Sequence, residues 1–453
     1  MGYDVFADFS KVDGTIRALH GVNNGPVCYG SLTDVSKYYK ELGVPWVRIH
    51  DSNWPHPREV DYYTIFPDFE KDADDPGSYD FRQTDTYIKS IADIGARIVY
   101  RLGVSIEHTQ TKYHVQPPES FDKWADICVH IIRHYNEGWA DGFHYGILHW
   151  EIWNEPESIP DVSPEKNLMW SGTHEQYFEL YRTASVKIRQ ACPDVKIGGF
   201  AYTYVQPAFL DRFLAFVSEN SLPLDFFSWH TYASNPMTMA EHSKEMKRKL
   251  DQYGFRDTEI HCNEYNYAHP LPQGMGVFGA DNQAGTEMFF EALKNEQGAS
   301  FDAAVLILLQ DCPVDVLNYY DAAPSSFWSF FNCYGVPQKA YYAFLAFKEV
   351  HDKGNRVATT VTGGTDGLYC LGAIDDNGSE AALMLTNFDA EEREYSVGFR
   401  LPQGKSRSSM EVRSIDADHS YDGIGTYAVE SDGVLKLVLK RHTVLLMKLN
   451  MQP

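Results

Sequence analysis

The stretch HWEIWNEPE, residues 149–157, is an apolar run that ends in a glutamate. The run is rich in large apolar side chains, with two tryptophans and an isoleucine, which is typical of a β-strand. Pro156 lacks the backbone N–H that a further ladder bond would need, so the strand is expected to stop there. Glu155, the residue before this proline, is therefore predicted to stand at the end of the strand.

The rest of the chain repeats this pattern of apolar runs separated by helical stretches. One such stretch, residues 31–43, begins with a capping serine and ends in Gly43. The runs that indicate strands are residues 15–23, 46–51, 96–103, 144–156, 195–201, 225–233, 258–266 and 303–311. Eight strand-helix units across about 340 residues predict a (β/α)8 barrel, which carries its active site at the C-terminal ends of the strands. An open doubly wound sheet is the alternative.

The sequence changes character near residue 355. Short alternating runs separated by Gly, Asp and Asn follow, which is typical of a small β-sandwich. The predicted domains are a catalytic barrel over residues 14–350 and a sandwich over residues 351–453. An N-terminal strand within residues 1–13 is expected to complete the sandwich.

Composition restricts the partners of the chain. Its formal net charge is −24, which argues against nucleic acid and anionic membranes as partners. There is neither a signal-peptide pattern nor an apolar run of about 18 residues, so a cytoplasmic location is expected unless a signal peptide was removed. Seven cysteines without CxxC spacing indicate neither a disulfide framework nor a zinc site. No cofactor or metal is expected, and homo-oligomerisation stays open.

A second glutamate, Glu264, lies near the end of the seventh run, TEIHCNEYN. Carboxylates from opposed strands of one barrel can approach to about 5–5.5 Å, the separation that retaining glycoside hydrolysis requires. Mutual repulsion and unequal burial separate the two pKa values, so one group can donate a proton while the other attacks the anomeric carbon.

The Asn-Glu-Pro after the fourth run, with a glutamate on the seventh, resembles the large clan of retaining (β/α)8 glycoside hydrolases. Within that clan, NEYN after the seventh strand is similar to glycoside hydrolase family 39, the family of β-xylosidases and α-L-iduronidases. The resemblance covers nearly the whole chain. It implies that Glu155 is the acid/base, that Glu264 is the nucleophile, and that Asn154 binds the sugar 2-hydroxyl.

Four further residues are candidates at the barrel mouth. Arg48 can pair with the nucleophile and keep it ionised, and His50 can bond a substrate hydroxyl. His230 and Tyr232 end the sixth run, and both residue types match the clan, where they contact the nucleophile or the sugar.

Other candidates rest on position alone. His20 and Asn24 follow the first strand and can reach the same subsite. Aromatic rings can also stack on sugar faces. The candidate platforms, of which one or two are expected to serve, are Trp54, Trp153, Trp229 and Trp328.

The sequence departs from the xylosidase pattern at the predicted eighth strand. Residues 303–311 lack the tryptophan that family members place there, and Gln310 and Asp311 occupy the end of the run. A long insertion after the second strand, residues 54–80, is expected to wall off one side of the mouth, which favours exo action on a chain end.

Several functions are compatible with these residues. The preferred one is a retaining exo-glycosidase that releases a small neutral sugar such as xylose, arabinose or galactose from plant-type oligosaccharides. The alternatives are a catalytically silent carbohydrate-binding relative, a glycosidase of other specificity such as an iduronidase, and a metal enzyme that uses His and carboxylates. An iduronidase needs cationic groups for the uronate, and only Arg48, Arg58 and Arg101 lie near strand ends.

Overall fold

The protein contains a closed β-barrel with helices around it. It also contains a separate, open β-sheet. The computed structural model describes residues 2–28, 30–52, 58–106, 111–157, 169–271, 282–324, 327–362, 366–405, 407–430 and 433–452.

The strands of the described residues are numbered in chain order. They are β1 (Val5–Thr15), β2 (Gly21–Asn23), β3 (Val27–Cys28), β4 (Thr33–Asp34), β5 (Trp46–Ile49), β6 (Arg97–Leu102), β7 (His149–Ile152), β8 (Lys196–Tyr202), β9 (Phe226–Ala233), β10 (Glu259–Tyr267), β11 (Val316–Tyr319), β12 (Asn355–Val361), β13 (Leu368–Ile374), β14 (Glu380–Asn387), β15 (Arg393–Arg400), β16 (Arg407–Ile415), β17 (Ser420–Glu430), β18 (Val434–Leu439) and β19 (Thr443–Gln452).

The α-helices of the same residues lie mainly between the strands of the barrel. They are α1 (Ser36–Leu42), α2 (Tyr62–Ile65), α3 (Arg82–Ala92), α4 (Phe121–Asn136), α5 (His174–Ala191), α6 (Pro207–Glu219), α7 (Pro236–Gln252), α8 (Gln283–Lys294), α9 (Glu296–Leu308) and α10 (Lys339–His351). None of them is both long and apolar enough to cross a membrane.

The barrel is formed by eight parallel strands. In order around the barrel they are β2, β5, β6, β7, β8, β9, β10 and β11, and β11 pairs with β2 to close it. These strands are buried on both faces because helices cover the outside and side chains fill the inside. Seven of the eight predicted runs contain a barrel strand.

The eighth predicted strand is wrong. Residues 303–308 belong to helix α9, and residues 309–311 form a 3-10 turn. Helix α9 contacts β10 on one side and β13 and β14 on the other. Since almost all of its surface is buried, it is apolar all round and lacks the one-sided pattern that identifies a helix. The eighth barrel strand is β11, which follows this turn.

The second sheet has nine strands in the order β17, β16, β19, β14, β13, β12, β1, β15 and β18. Strand β1 runs antiparallel to β12 and parallel to β15. Together with the barrel, this sheet confirms the predicted fold class of a (β/α)8 barrel with a C-terminal sandwich. The limits 14–350 and 351–453 stay a prediction.

The barrel and the sheet share an apolar core. Leu371, Met384 and Leu446 of the sheet belong to the same buried cluster as the barrel residues. A second cluster lies within the sheet and includes Val397. Helices α9 and α10 contact both parts of the molecule and join them.

Candidate active site

The two predicted catalytic glutamates meet at the C-terminal end of the barrel. Glu264 lies within β10, and Glu155 follows the end of β7 by three residues. The backbone turns sharply after β7, with positive φ angles of 71° at Trp153 and 46° at Glu155. One carboxylate oxygen of each glutamate and one ring nitrogen of His230 lie within 4.8 Å of one another.

Glu264 is a buried carboxylate with donors on both oxygens. Arg48 Nη1 donates to Oε1 at 2.7 Å, and the Tyr232 hydroxyl donates to Oε2 at 2.7 Å. His230 Nδ1 lies 3.4 Å from Oε2. Burial and, to a smaller extent, Glu155 raise the pKa of Glu264 above its ordinary value, whereas Arg48, Tyr232 and a protonated His230 act to lower it. Direct contact with a guanidinium and a phenol favours the anion.

Glu155 has a different environment. Its side chain is 23% exposed, and Oε1 lies 2.5 Å from His230 Nδ1. Burial raises its pKa to about 7, with an opposing contribution from Arg48 and a supporting one from Glu151. The pKa of His230 is lowered to about 4, chiefly by burial, so the ring is neutral at pH 7. Neutral His230 has one ring proton, and a protonated Glu155 can donate to its Nδ1.

Asn154 is oriented by the same arginine. Its Oδ1 accepts a hydrogen bond from Arg48 Nη2 at 2.5 Å. The amide nitrogen, Nδ2, is buried without a partner among the described residues. The amide therefore presents a free donor that can bind the oxygen of a substrate hydroxyl.

Arg48 also contacts a carboxylate that was not predicted from the sequence. Glu151 lies in β7, is fully buried, and accepts from Arg48 Nε at 2.8 Å. The available signal was a charged residue within an apolar strand, because such a residue is almost never buried without a partner.

A further carboxyl group, Glu157, was also missed. It is buried, and its Oε1 accepts from the backbone N–H and the hydroxyl of Thr203, both at 2.6 Å. Burial raises its pKa to about 7. Glu157 therefore resembles Glu155 in acidity but is tied to the loop after β8.

His50 lies at the end of β5 in a buried polar network. Its Nδ1 accepts from Arg101 Nε at 3.1 Å, so the ring proton is on Nε2. Arg101 also pairs with Asp61 at 2.6 Å. The neighbouring Asp51 accepts from the backbone of Ile106, and burial raises its pKa to about 6. His50 and Asp51 thus extend the polar lining of the mouth.

The structure contradicts two of the predicted site residues. His20 precedes β2 and packs against Phe347 and His351, so it lies at the end of the barrel opposite the mouth. Gln310 precedes β11 and binds the backbone of Arg17 at 2.8 Å, which places it at the same opposite end. Both errors have one cause, because each residue was assigned to the end of a strand that in fact begins after it. Asn24, in contrast, lies after β2 and bonds Asp321.

The predicted aromatic platforms separate into two groups. Trp153 and Trp229 are buried in the packing between strands and helices. Trp328 is half-buried after β11, and its ring centroid lies 5.0 Å from that of Tyr232, which binds Glu264. A tryptophan therefore does follow the eighth strand, contrary to the expectation from sequence. Trp54 lies outside the described residues.

Two clusters in the described part of the chain are close enough to hold a metal ion. One is the group of Glu155, His230 and Glu264 itself, where Arg48 already occupies an oxygen of Glu264. The other joins His149, Glu259 and His261 at the opposite end of the barrel, where Lys196 pairs with Glu259. A cation beside the carboxylate weakens the case for a divalent ion in both clusters.

Comparison with known proteins identifies the family of the chain. The family described as Glycosyl hydrolases family 39 matches residues 29–284, more than half of the chain. A β-xylosidase of Caldicellulosiruptor saccharolyticus is 23% identical over 376 residues, which cover 78% of this chain and 71% of that protein.

Solved structures show the same fold. A glucosidase of Croceicoccus marinus has a TM-score of 0.81 at 23% identity, with all of both chains covered. A monomeric β-xylosidase of Caulobacter crescentus has a TM-score of 0.70 at 14% identity and covers 98% of this chain and 99% of its own. The family match over more than half of the chain, together with the β-xylosidase relative, confirms the predicted family: the chain belongs to family 39 of the glycosyl hydrolases and is a β-xylosidase-like glycoside hydrolase.

Proposed function

We propose that the protein is a retaining, exo-acting glycosidase that releases a small neutral sugar, with xylose as the first candidate. The observation that carries this proposal is the approach of Glu155 and Glu264 to within 4.8 Å between their nearest oxygens. Retaining enzymes place their carboxyl groups about 5–5.5 Å apart, whereas inverting enzymes need about 6.5–9.5 Å to admit a water molecule. The spacing supports the retaining arrangement.

The surroundings of the two glutamates support distinct roles. Glu264 contacts Arg48 and Tyr232 directly, so it is the group held as an anion and the proposed nucleophile. Glu155 has a pKa raised to about 7 and is partly exposed, so it can carry a proton to the leaving group.

The proposed reaction has two steps. An oxygen of Glu264 attacks the anomeric carbon while Glu155 transfers its proton to the glycosidic oxygen, and the aglycone leaves as an alcohol. Glu155, now a carboxylate, removes a proton from water, which attacks the same carbon and releases Glu264. Two inversions give net retention. Asn154 Nδ2 is the proposed donor to the 2-hydroxyl in both steps.

The charges at the mouth support a neutral substrate. Arg48 and Arg101, two of the three arginines considered for uronate recognition, are fully buried and paired with Glu264 and Asp61. The third, Arg58, donates to the Tyr63 hydroxyl. A uronate would therefore have to break an existing contact to gain a cation.

The insertion after β5 supports exo action. Asp61 accepts from Arg101 and from the backbone of Ser105, and the Tyr62 backbone bonds Gly103. These contacts hold the insertion beside the C-terminal end of β6, at the rim of the mouth. A wall at this rim limits the site to a chain end.

A second candidate is a glucosidase. Its support is the whole-chain fold similarity to the Croceicoccus marinus glucosidase. Glucose differs from xylose by one hydroxymethyl group, and a difference of this size is worth only about 1–3 kcal/mol in a pocket. Both sugars must therefore be tested.

The experiment is hydrolysis of nitrophenyl glycosides of xylose, arabinose, galactose and glucose, with NMR of the first-formed anomer and with a chelator in parallel. We expect turnover of a neutral sugar with retention, unaffected by chelator. A 2-fluoro glycoside of that sugar should label the peptide that contains Glu264. Inversion, labelling elsewhere or loss of activity with chelator would contradict the mechanism. Sugar binding without turnover would identify a silent relative.

A further inference from the structure

Glu151 is a carboxylate enclosed directly below the catalytic pair. Its side chain is completely inaccessible to solvent. Oε2 lies 2.8 Å from Arg48 Nε and 2.7 Å from Nη2. Oε1 accepts from the Ser228 hydroxyl at 2.6 Å and from the Asn263 amide. Both oxygens are therefore held by donors, which is the arrangement that a buried anion requires.

Arg48 is divided between two carboxylates. It binds Glu264 through Nη1 and Glu151 through Nε and Nη2. One positive charge thus faces two negative charges in an interior that screens poorly. Glu264 receives less stabilisation from Arg48 than it would receive as the sole partner. The net negative charge that results suits an anomeric carbon that becomes positive in the transition state.

We propose that Glu151 is a positioning residue for the double displacement, which directs Arg48 toward Glu264 and keeps that nucleophile basic by sharing the arginine charge. This inference rests on the proposed function. A fixed guanidinium also fixes Asn154, because Nη2 donates to its Oδ1. The orientation of Arg48, Glu264 and Asn154 then depends on the buried carboxylate of Glu151.

The charge of Glu151 also acts on the other groups that face it. The elements around it contribute Arg48 from β5, Ser228 and His230 from β9, Asn263 and Glu264 from β10, and Tyr177 from α5. Among them, the histidine and tyrosine rings are neutral near pH 7 because burial lowers the pKa of His230 to about 4 and raises that of Tyr177. Glu151 is also one of the groups that raise the pKa of Glu155.

The first test is Glu151→Gln, which keeps the shape and removes the charge. Arg48 then acts on Glu264 alone, so the acidic limb of the kcat/KM profile should move to lower pH, and the basic limb, set by Glu155, should move down with it. We expect kcat/KM to fall about 10- to 100-fold at the optimum. The matched control is Glu151→Asp, which keeps the charge but is one methylene shorter. It should lose rate while its acidic limb stays nearer that of the wild type.

The second test strengthens the effect of the Glu151 charge on Arg48, whereas Glu151→Gln removes it. Ser228→Ala removes a donor from Glu151, so more negative charge is left to compete for Arg48. The acidic limb should then move to higher pH. Opposite shifts in Glu151→Gln and Ser228→Ala cannot arise from a general loss of structure, which circular dichroism and Tm would report.

An unmoved acidic limb in Glu151→Gln, or a shift of both variants in one direction, would overturn the proposal. If Glu151→Gln does not fold, the test rests on Ser228→Ala. In that case, an acidic limb of the kcat/KM profile that stays in place or moves to lower pH contradicts the proposal. Labelling of the wild type by the 2-fluoro glycoside separates this failure from that of the proposed function. Labelling at Glu264 with unmoved limbs refutes only the role of Glu151, whereas labelling elsewhere refutes the mechanism.

Discussion

Glu155 and Glu264 are the same residue type, and their neighbours alone distinguish them. Glu264 meets a guanidinium and a phenol, while Glu155 meets a neutral imidazole at the edge of solvent. The difference in proton affinity comes from which donors each carboxyl group receives, because both are partly or wholly removed from water. The roles predicted for the two glutamates from their sequence positions therefore agree with the donors that each carboxyl group contacts.

Replacing Glu155 by Gln removes the proton donor but keeps the shape. Hydrolysis of substrates with poor leaving groups should fall by about 10²–10⁴, with a smaller loss on activated aryl glycosides that need little protonation. The wild-type kcat/KM should decline as pH rises through about 7, where Glu155 loses its proton, and the variant should lack this decline. Glu157→Gln is the matched control and should keep it. Equal losses on both substrate classes would contradict the assignment.

Glu157 predicts a pH dependence of stability. Burial raises its pKa from 4.5 to about 7, so its contribution to stability is complete below pH 4.5 and is lost as pH rises through 7. Glu157→Gln should remove up to about 3 kcal/mol of this loss. In thermal unfolding, Tm of the wild type should therefore drop more between pH 5 and pH 8 than Tm of the variant. Parallel curves would show that Glu157 is already ionised in the folded state.

At the level of elements, the first seven barrel strands were easier to predict from sequence than the eighth. Seven of the barrel strands lie in the predicted runs, and because they are covered on both faces their apolar residues were visible in the sequence. Helix α9 was mistaken for a strand because it is buried between the barrel and the sheet and has no polar face. That single error displaced the predicted eighth strand, misplaced Gln310 and left the candidate Trp328 unassigned to the end of that strand. Glu151 was missed because its partner, Arg48, is 103 residues away.

The loop after β11 supplies the next prediction. Trp328 lies beside Tyr232 and packs on Phe289 and Phe290. If it forms a wall for the sugar, Trp328→Ala should raise KM and lower kcat/KM about tenfold, since an aromatic contact is worth about 0.5–1.5 kcal/mol beyond its buried area. Trp328→Phe should recover most of the loss. Unchanged kinetics in a folded Trp328→Ala protein would leave the ring a packing residue.

At the scale of the whole molecule, the barrel and the sheet share one apolar core. Their buried side chains form a shared cluster, and α9 and α10 contact both. The predicted limits follow a change in sequence pattern, which reports local structure and not the contacts across a boundary. No charged group of the sheet is among the partners of Glu155 or Glu264 in the described residues.

A protein truncated after residue 350 should not behave as a stable barrel. Removal of the sheet exposes the apolar faces of α9 and α10, and strand β1 loses both neighbours. We expect aggregation or a Tm lower than that of the full chain, measured by light scattering and thermal unfolding. Supplying residues 351–453 as a separate chain should restore part of the solubility. A soluble, cooperative and active fragment would show that the barrel is independent.

Strand β1 has a further consequence for how the protein is made. Val5 pairs with Val361 and Val397 in the finished sheet, so β1 is synthesised several hundred residues before either of its neighbours. At about 5–20 residues per second, roughly 20–80 s pass before both partners have been synthesised. During that interval β1 has two unpaired edges and a row of apolar side chains. Strand β1 therefore stays without its full pair of partner strands until β15 has emerged, which makes it the kind of exposed apolar segment that chaperones bind.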